Sequence, residues 1–141
     1  MSLPAILAPL FAQVLLTFGL MLGMMFFRST ALMSGRTRYE QIAMREPNWP
    51  HRALLFANAF GNQFELPVLF YVLTVLALVT RHADLLFVVM AWIFVVMRCL
   101  QALVHVTTNH VPYRGGFYGV GAILLLAMWV IFIVRILLGL P

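Results

Sequence analysis

The chain contains no lysine. All nine basic residues among its 141 are arginines, and only four residues are acidic. Charged residues make up 9% of the chain, against about a quarter in soluble domains. That shortage, with a hydrophobic content of 64%, excludes an ordinary soluble fold. One cysteine, Cys99, excludes an internal disulfide and a cysteine metal cluster. It lies in an apolar segment and reads as packing. The formal charge of +5 does not signal nucleic acid, which requires a clustered, solvated basic face. Phosphate loops, serine elbows and paired-cysteine motifs are all missing. The histidines, His51, His82, His105 and His110, lack a ligand spacing with carboxylates, so no metal site is expected. The opening Met1-Ser-Leu-Pro-Ala lacks the positive region of a secretory signal, and its apolar run is too long for a signal core. It is expected to remain as a membrane helix.

Long apolar runs fill the chain instead. A bilayer core takes about 20 apolar residues as helix. Four segments qualify, at about 4–27, 53–80, 85–107 and 117–138. The fold class is therefore an all-α integral membrane protein, an antiparallel four-helix bundle in a single membrane domain. The tight turn Arg81-His82-Ala83-Asp84 makes the second and third spans antiparallel neighbours. Arg28, Arg36, Arg38, Arg45 and Arg52 crowd the first loop, while the third holds His110 and Arg114. The excess of arginine puts loops 28–52 and 108–116 in the cytoplasm and both termini outside. Within the first loop, residues 37–45 are expected as a short surface helix ended by Pro47 and Pro50. The loop reads as a solvated connector with its arginines at the lipid headgroups rather than as a binding element.

Glu65 stands out against this background. A carboxylate deep in a span is costly and marks a functional site by default. Asn58, Asn62 and Glu65 repeat every three or four residues and share one face of the second span. Arg98, Gln101 and His105 do the same on the third. At 1.5 Å per residue, Glu65 lies about 20 Å and Arg98 about 13 Å from the cytoplasmic ends. The two are expected to face each other, directly or across a ligand. Pro67 follows Glu65 and predicts a kink, because it removes one donor and crowds the Gln63 carbonyl. Gly19-x-x-x-Gly23 and the glycines at 115, 116, 119 and 121 permit close helix contact. Arg114 and Tyr118 sit where the fourth span begins. A cation there opposes the helix dipole, and either a ligand anion or a lipid headgroup accounts for it.

Asn62-x-x-Glu65-x-Pro67, followed by Arg98, Arg114 and Tyr118, resembles the MAPEG family, the membrane-associated proteins in eicosanoid and glutathione metabolism. The resemblance covers nearly the whole chain, is closest to bacterial-type members, and implies a bacterial inner membrane. It also implies a homotrimer that binds glutathione between subunits near the cytoplasmic side. A lipophilic small molecule would enter from the membrane lipid. By similarity, Asn62 and Glu65 would hold the glutathione backbone and amino end. Arg98 would orient Glu65 or a glutathione carboxylate, and Arg114 would lie beside the thiol. Asn58, Gln101, His105 and Tyr118 would complete the glutathione site. The chain departs from the family at three points. Asn58 replaces an arginine, His105 stands where several members have tyrosine, and Gly115 follows Arg114 where one prostaglandin synthase branch has serine. Arg52 is the candidate to supply the missing cation.

These residues imply a glutathione-dependent transferase or peroxidase acting on lipophilic electrophiles. Arg114 would be the catalytic group that stabilises the thiolate. A non-enzymatic lipid-binding or scaffold protein of the same fold is the alternative, favoured by Asn58. A small proton-coupled transporter is a third reading, weakened by the cation at Arg98.

Overall fold

In the computed structural model, which describes residues Met1–Pro141, every regular element is an α-helix. These are α1 (Leu3–Met33), α2 (Tyr39–Ile42), α3 (His51–Asn62), α4 (Leu66–Val79), α5 (Leu85–Val106) and α6 (Val111–Leu137). Helices α1, α5, α6 and the α3–α4 pair are each long and apolar enough to cross a membrane. The chain is an all-α integral membrane protein, as its composition requires. Leucines, valines and phenylalanines remain exposed along every span, which is the surface that acyl chains cover.

Helix α1 runs six residues past its expected end at Phe27. Nothing between Phe27 and Met33 breaks a helix. Gly35, at φ +77°, then provides the left-handed residue that stops it, with the Thr37 N–H donating back to the Ala31 carbonyl at 3.2 Å. At 31 residues, α1 extends to about 46 Å and projects beyond the hydrocarbon core. The expected loop helix is real but shorter, only Tyr39–Ile42.

The second span differs from the kinked helix expected there. It is broken outright between Asn62 and Leu66. Pro67 sits in the first turn of α4, where its missing N–H costs nothing. The residues before it tighten into three-residue turns: Gln63 N–H to Phe60 O at 3.0 Å, Phe64 to Gly61 at 3.1 Å and Glu65 to Asn62 at 3.3 Å. Irregular backbone at membrane depth is tolerated only where protein or a water-lined cavity covers it.

The fourth span begins six residues before its expected start at Phe117, at Val111. His110 caps it, its ring Nδ1 accepting from the Tyr113 N–H at 3.4 Å, and Pro112 lies in the first turn. The connection expected at 108–116 is thus largely helix. Arg114, Gly115 and Gly116 belong to α6.

Helix α5 packs on α6, α1 and α3, and α1 packs on α3 and α4. Phe70 of α4 stacks on Phe94 of α5 at 4.8 Å between ring centres, inside a core that includes Leu73, Val95, Leu125 and Met128. At the α4–α5 turn the Asp84 carboxylate caps α5 and pairs with Arg135 at 2.9 Å. Burial pushes this carboxyl upward, but the Phe87 N–H and Arg135 outweigh it and hold it below its ordinary range. Its small contribution to stability is present above the unfolded pKa and is lost as pH falls through the folded one.

Of the two glycines in the Gly19–Gly23 pair, only Gly23 is used within the chain. A Cβ there would run into the Phe56 ring, whereas Gly19 faces open space. Gly23→Ala should destabilise the fold by about 1–3 kcal/mol. Adding Phe56→Leu should recover part of that loss, measured as denaturation midpoints in a common detergent.

Candidate functional site

The break in the second span organises the site. It leaves the Asn62 carbonyl without the Leu66 N–H that a continuous helix would supply. The Arg98 guanidinium takes that place, donating from Nη2 to Asn62 O at 3.1 Å. Arg98 is 1% exposed, and its Nε and Nη1 find no acceptor within the chain. Buried donors of this kind are rare and costly.

Glu65 occupies the break itself, with φ −96° and ψ −104°. Arg98 and Glu65 do not form the direct ion pair that the sequence allowed. The chain's one ion pair is Arg135–Asp84. Tyr118 stands between them instead. Its hydroxyl donates to Glu65 Oε1 at 3.3 Å, and the Arg98 guanidinium lies 5.7 Å from the centre of its ring. The acid and the guanidinium therefore address one place through a shared phenol.

A cavity of about 700 Å³ opens above this arrangement. Asn58, Asn62 and Glu65 form one wall. Gln101 and His105 of α5 form the second, and Arg114 and Tyr118 of α6 the third. Every residue expected in the glutathione site lines it except Arg98, which is buried and reaches the Asn62 carbonyl instead. Gln101 and His105 are buried, and Gln101 Oε1 and His105 Nδ1 have no partner in the chain. Arg114 is held by Asn109, whose Oδ1 accepts from Nη1 at 2.6 Å. Asn109 adopts φ +52°, a conformation asparagine tolerates better than most residues. Arg52 is not in this cavity. It lines a separate one of about 370 Å³ with Arg36 and His51, so it does not replace the cation missing at Asn58.

Two further residues brace the site without lining it. Gln13 of α1 is fully buried and donates from Nε2 to Gln63 Oε1 at 2.8 Å. Gln63 in turn donates to the Ala59 carbonyl at 2.9 Å. This pair ties the broken span to α1. Its signal in the sequence is plain in retrospect, since a lone glutamine in an apolar span usually bonds across helices. Gln13→Leu would leave Gln63 Oε1 unsatisfied in an apolar interior. It should cost about 1–3 kcal/mol in unfolding midpoint, and a paired Gln13→Leu/Gln63→Leu variant should recover part of it.

An apolar cleft of about 430 Å³ lies beside the polar cavity, lined by Leu66 and Leu69 of α4 and Leu126 and Trp129 of α6. At the opposite end of the bundle, the void beside Asp84 and Arg135 is only about 20 Å³, room for one water.

A model of the MAPEG family matches residues 6–134, nearly the entire chain. The protein belongs to the MAPEG family. No curated protein and no solved structure matches it. Membership joins it to membrane proteins of glutathione and eicosanoid metabolism. In this MAPEG protein the polar residues of the second, third and fourth spans converge on one cavity while the surrounding helix faces stay apolar.

Proposed function

We infer that this MAPEG protein is a glutathione-dependent membrane transferase or peroxidase acting on lipophilic electrophiles. The observation that carries this reading is the cavity with an acid on one wall and Arg114 on another. Its volume lies within the usual 300–1,000 Å³ range of small-molecule sites. Glutathione has one ammonium, two carboxylates and a thiol. Glu65 is the acceptor for the ammonium, and Asn58 and Asn62 offer amides to the peptide backbone. Gln101 and His105 add an amide and an imidazole to the α5 wall.

Only the thiolate is nucleophilic, and a free thiol has a pKa of about 8.5. A guanidinium beside it favours ionisation and stays charged throughout. Arg114, positioned by Asn109, has that role. The thiolate then attacks the electrophile, and the leaving group or reduced oxygen takes up a proton. In a peroxidase cycle the thiolate breaks the peroxide O–O bond, giving a sulfenic acid and an alcohol, and a second glutathione thiol displaces water from the sulfenic acid to form the disulfide. The apolar cleft that starts at Leu66, next to Glu65, is the place for an oily partner from the bilayer.

The cavity lies open on the side of a chain whose helices expose apolar faces. A homotrimer would close it, with loops 28–52 and 107–110 in the cytoplasm and both termini outside. The test is the thiolate absorbance that appears when glutathione is added to purified protein near neutral pH. Wild type should show it and Arg114→Ala should not. No thiolate at millimolar glutathione in wild type would overturn the assignment. A non-enzymatic lipid-binding role has one observation in its favour, the asparagine at 58, and predicts glutathione-independent lipid retention instead.

A further inference from the structure

The first loop is exposed along most of its length, but it is tied down at Thr37 and Trp49. Asn48 Nδ2 donates to the Gln41 carbonyl at 2.6 Å, and the buried Thr37 hydroxyl donates to Asn48 O at 3.2 Å. These bonds close residues 37–48 on themselves, and Trp49 after them packs against Arg28 of α1. The Arg28 guanidinium lies 4.9 Å from the Trp49 ring centre. Arg45, at φ +63°, faces the same space.

Together they enclose a cavity of about 460 Å³. Its polar side holds the guanidiniums of Arg28 and Arg45. Its other side is Met24, Leu54 and Phe60. The one acid lining it, Glu46, has its Oε1 engaged by the Met44 N–H at 3.0 Å. The Arg28 Nε–H is buried and has no acceptor in the chain. One face of that guanidinium is occupied by the indole, a cation–π contact. Arg28 makes no ion pair, and its side chain lines the cavity. Two arginines without an ion-pair partner, beside an apolar wall, match an oxyanion carried on a hydrocarbon body.

We propose that the Arg28–Arg45–Trp49 cavity is a binding site for an oxyanion, the phosphate headgroup of an anionic membrane lipid. It is separate from the Glu65–Arg114 cavity, with which it shares only the wall at Ala57 and Asn58. The apolar side, built from α1 and α3, receives the first part of the lipid's acyl region. A free phosphate ion shares the headgroup chemistry but has no use for that side.

Trp49 reports on its own site. In a Trp92→Phe/Trp129→Phe background it is the sole indole. That protein in nanodiscs of phosphatidylcholine is compared with nanodiscs containing phosphatidylglycerol, and separately titrated with inorganic phosphate. Anionic lipid should shift Trp49 emission saturably. Arg28→Gln and Arg45→Gln should each weaken the response about tenfold, the loss of one charge-assisted pair. Arg45→Gln alters only the loop, so it remains informative if Arg28→Gln impairs folding. A saturable response to phosphate, equally sensitive to both substitutions, supports the oxyanion site with a soluble ligand. The proposal is overturned if neither lipid nor phosphate shifts Trp49, or if the shift survives both substitutions. It is also overturned if glutathione alone produces the shift, since the two arginines would then serve the neighbouring cavity.

Discussion

Arg114→Ala is expected to lower kcat/KM for a lipophilic electrophile by roughly 10–30-fold at neutral pH. A thiol with a pKa of about 8.5 is only a few per cent ionised at pH 7. A guanidinium held close by lowers that pKa, and a drop of about two units makes most of the bound glutathione thiolate. Alanine removes the charge and returns the thiol toward its free value. The direction with pH follows. As pH rises past about 9, glutathione ionises unaided, so the gap between variant and wild type narrows. A variant damaged merely in its fold would show no such recovery. Asn109→Ala should give a milder form of the same profile, because Asn109 holds Arg114 through the bond at 2.6 Å but does not supply the charge.

Arg98→Met is the second large effect, and it separates binding from stability. Methionine retains much of the apolar stem and removes a nearly fully buried cation that has two donors without acceptors. Removing a buried charge in favour of apolar volume is often neutral for the fold, so the unfolding midpoint should move little. The Asn62 carbonyl, however, loses its side-chain donor and keeps only the Glu65 N–H at 3.3 Å. Tyr118 also loses the cation above its ring. Both Asn62 and Glu65 depend on that geometry. A hydrogen bond to a charged group contributes about 1.5–3 kcal/mol, so KM for glutathione should rise tenfold or more. A fall in stability with KM unchanged would assign Arg98 to packing alone.

Much of the site can be seen in the sequence because lipid makes polar residues conspicuous. In a span such as α3–α4, each polar side chain needs a reason, and the spacing of Asn58, Asn62 and Glu65 assigns them to one stripe. Arg98 stands out on α5 for the same reason. How these groups meet was not legible. That Tyr118 would come between Glu65 and Arg98 depends on where α6 begins, and the paired glycines at 115 and 116 concealed a helix starting at Val111. Pro67 announced a disturbance, but whether a span kinks or breaks depends on what covers the loosened carbonyls. Here Arg98, from another helix, covers the Asn62 carbonyl, and Gln63, itself held by Gln13 of α1, covers that of Ala59. Gln13 carries no partner on its own helix, so its role became visible only with α1 laid against the break. Asn109 was invisible for a different reason. A polar residue in a connecting loop is unremarked until its backbone and side chain are placed.

The central claim is that the cavity between α3, α5 and α6 holds glutathione through Glu65. Calorimetric titration of glutathione into the protein in lipid nanodiscs tests it most directly, with Glu65→Gln measured alongside and Glu40→Gln, in the first loop, as the control. Wild type and Glu40→Gln should bind saturably at millimolar concentrations or below, and Glu65→Gln should bind roughly tenfold more weakly or worse. No heat of binding in wild type, or an affinity that Glu65→Gln leaves unchanged, would contradict it.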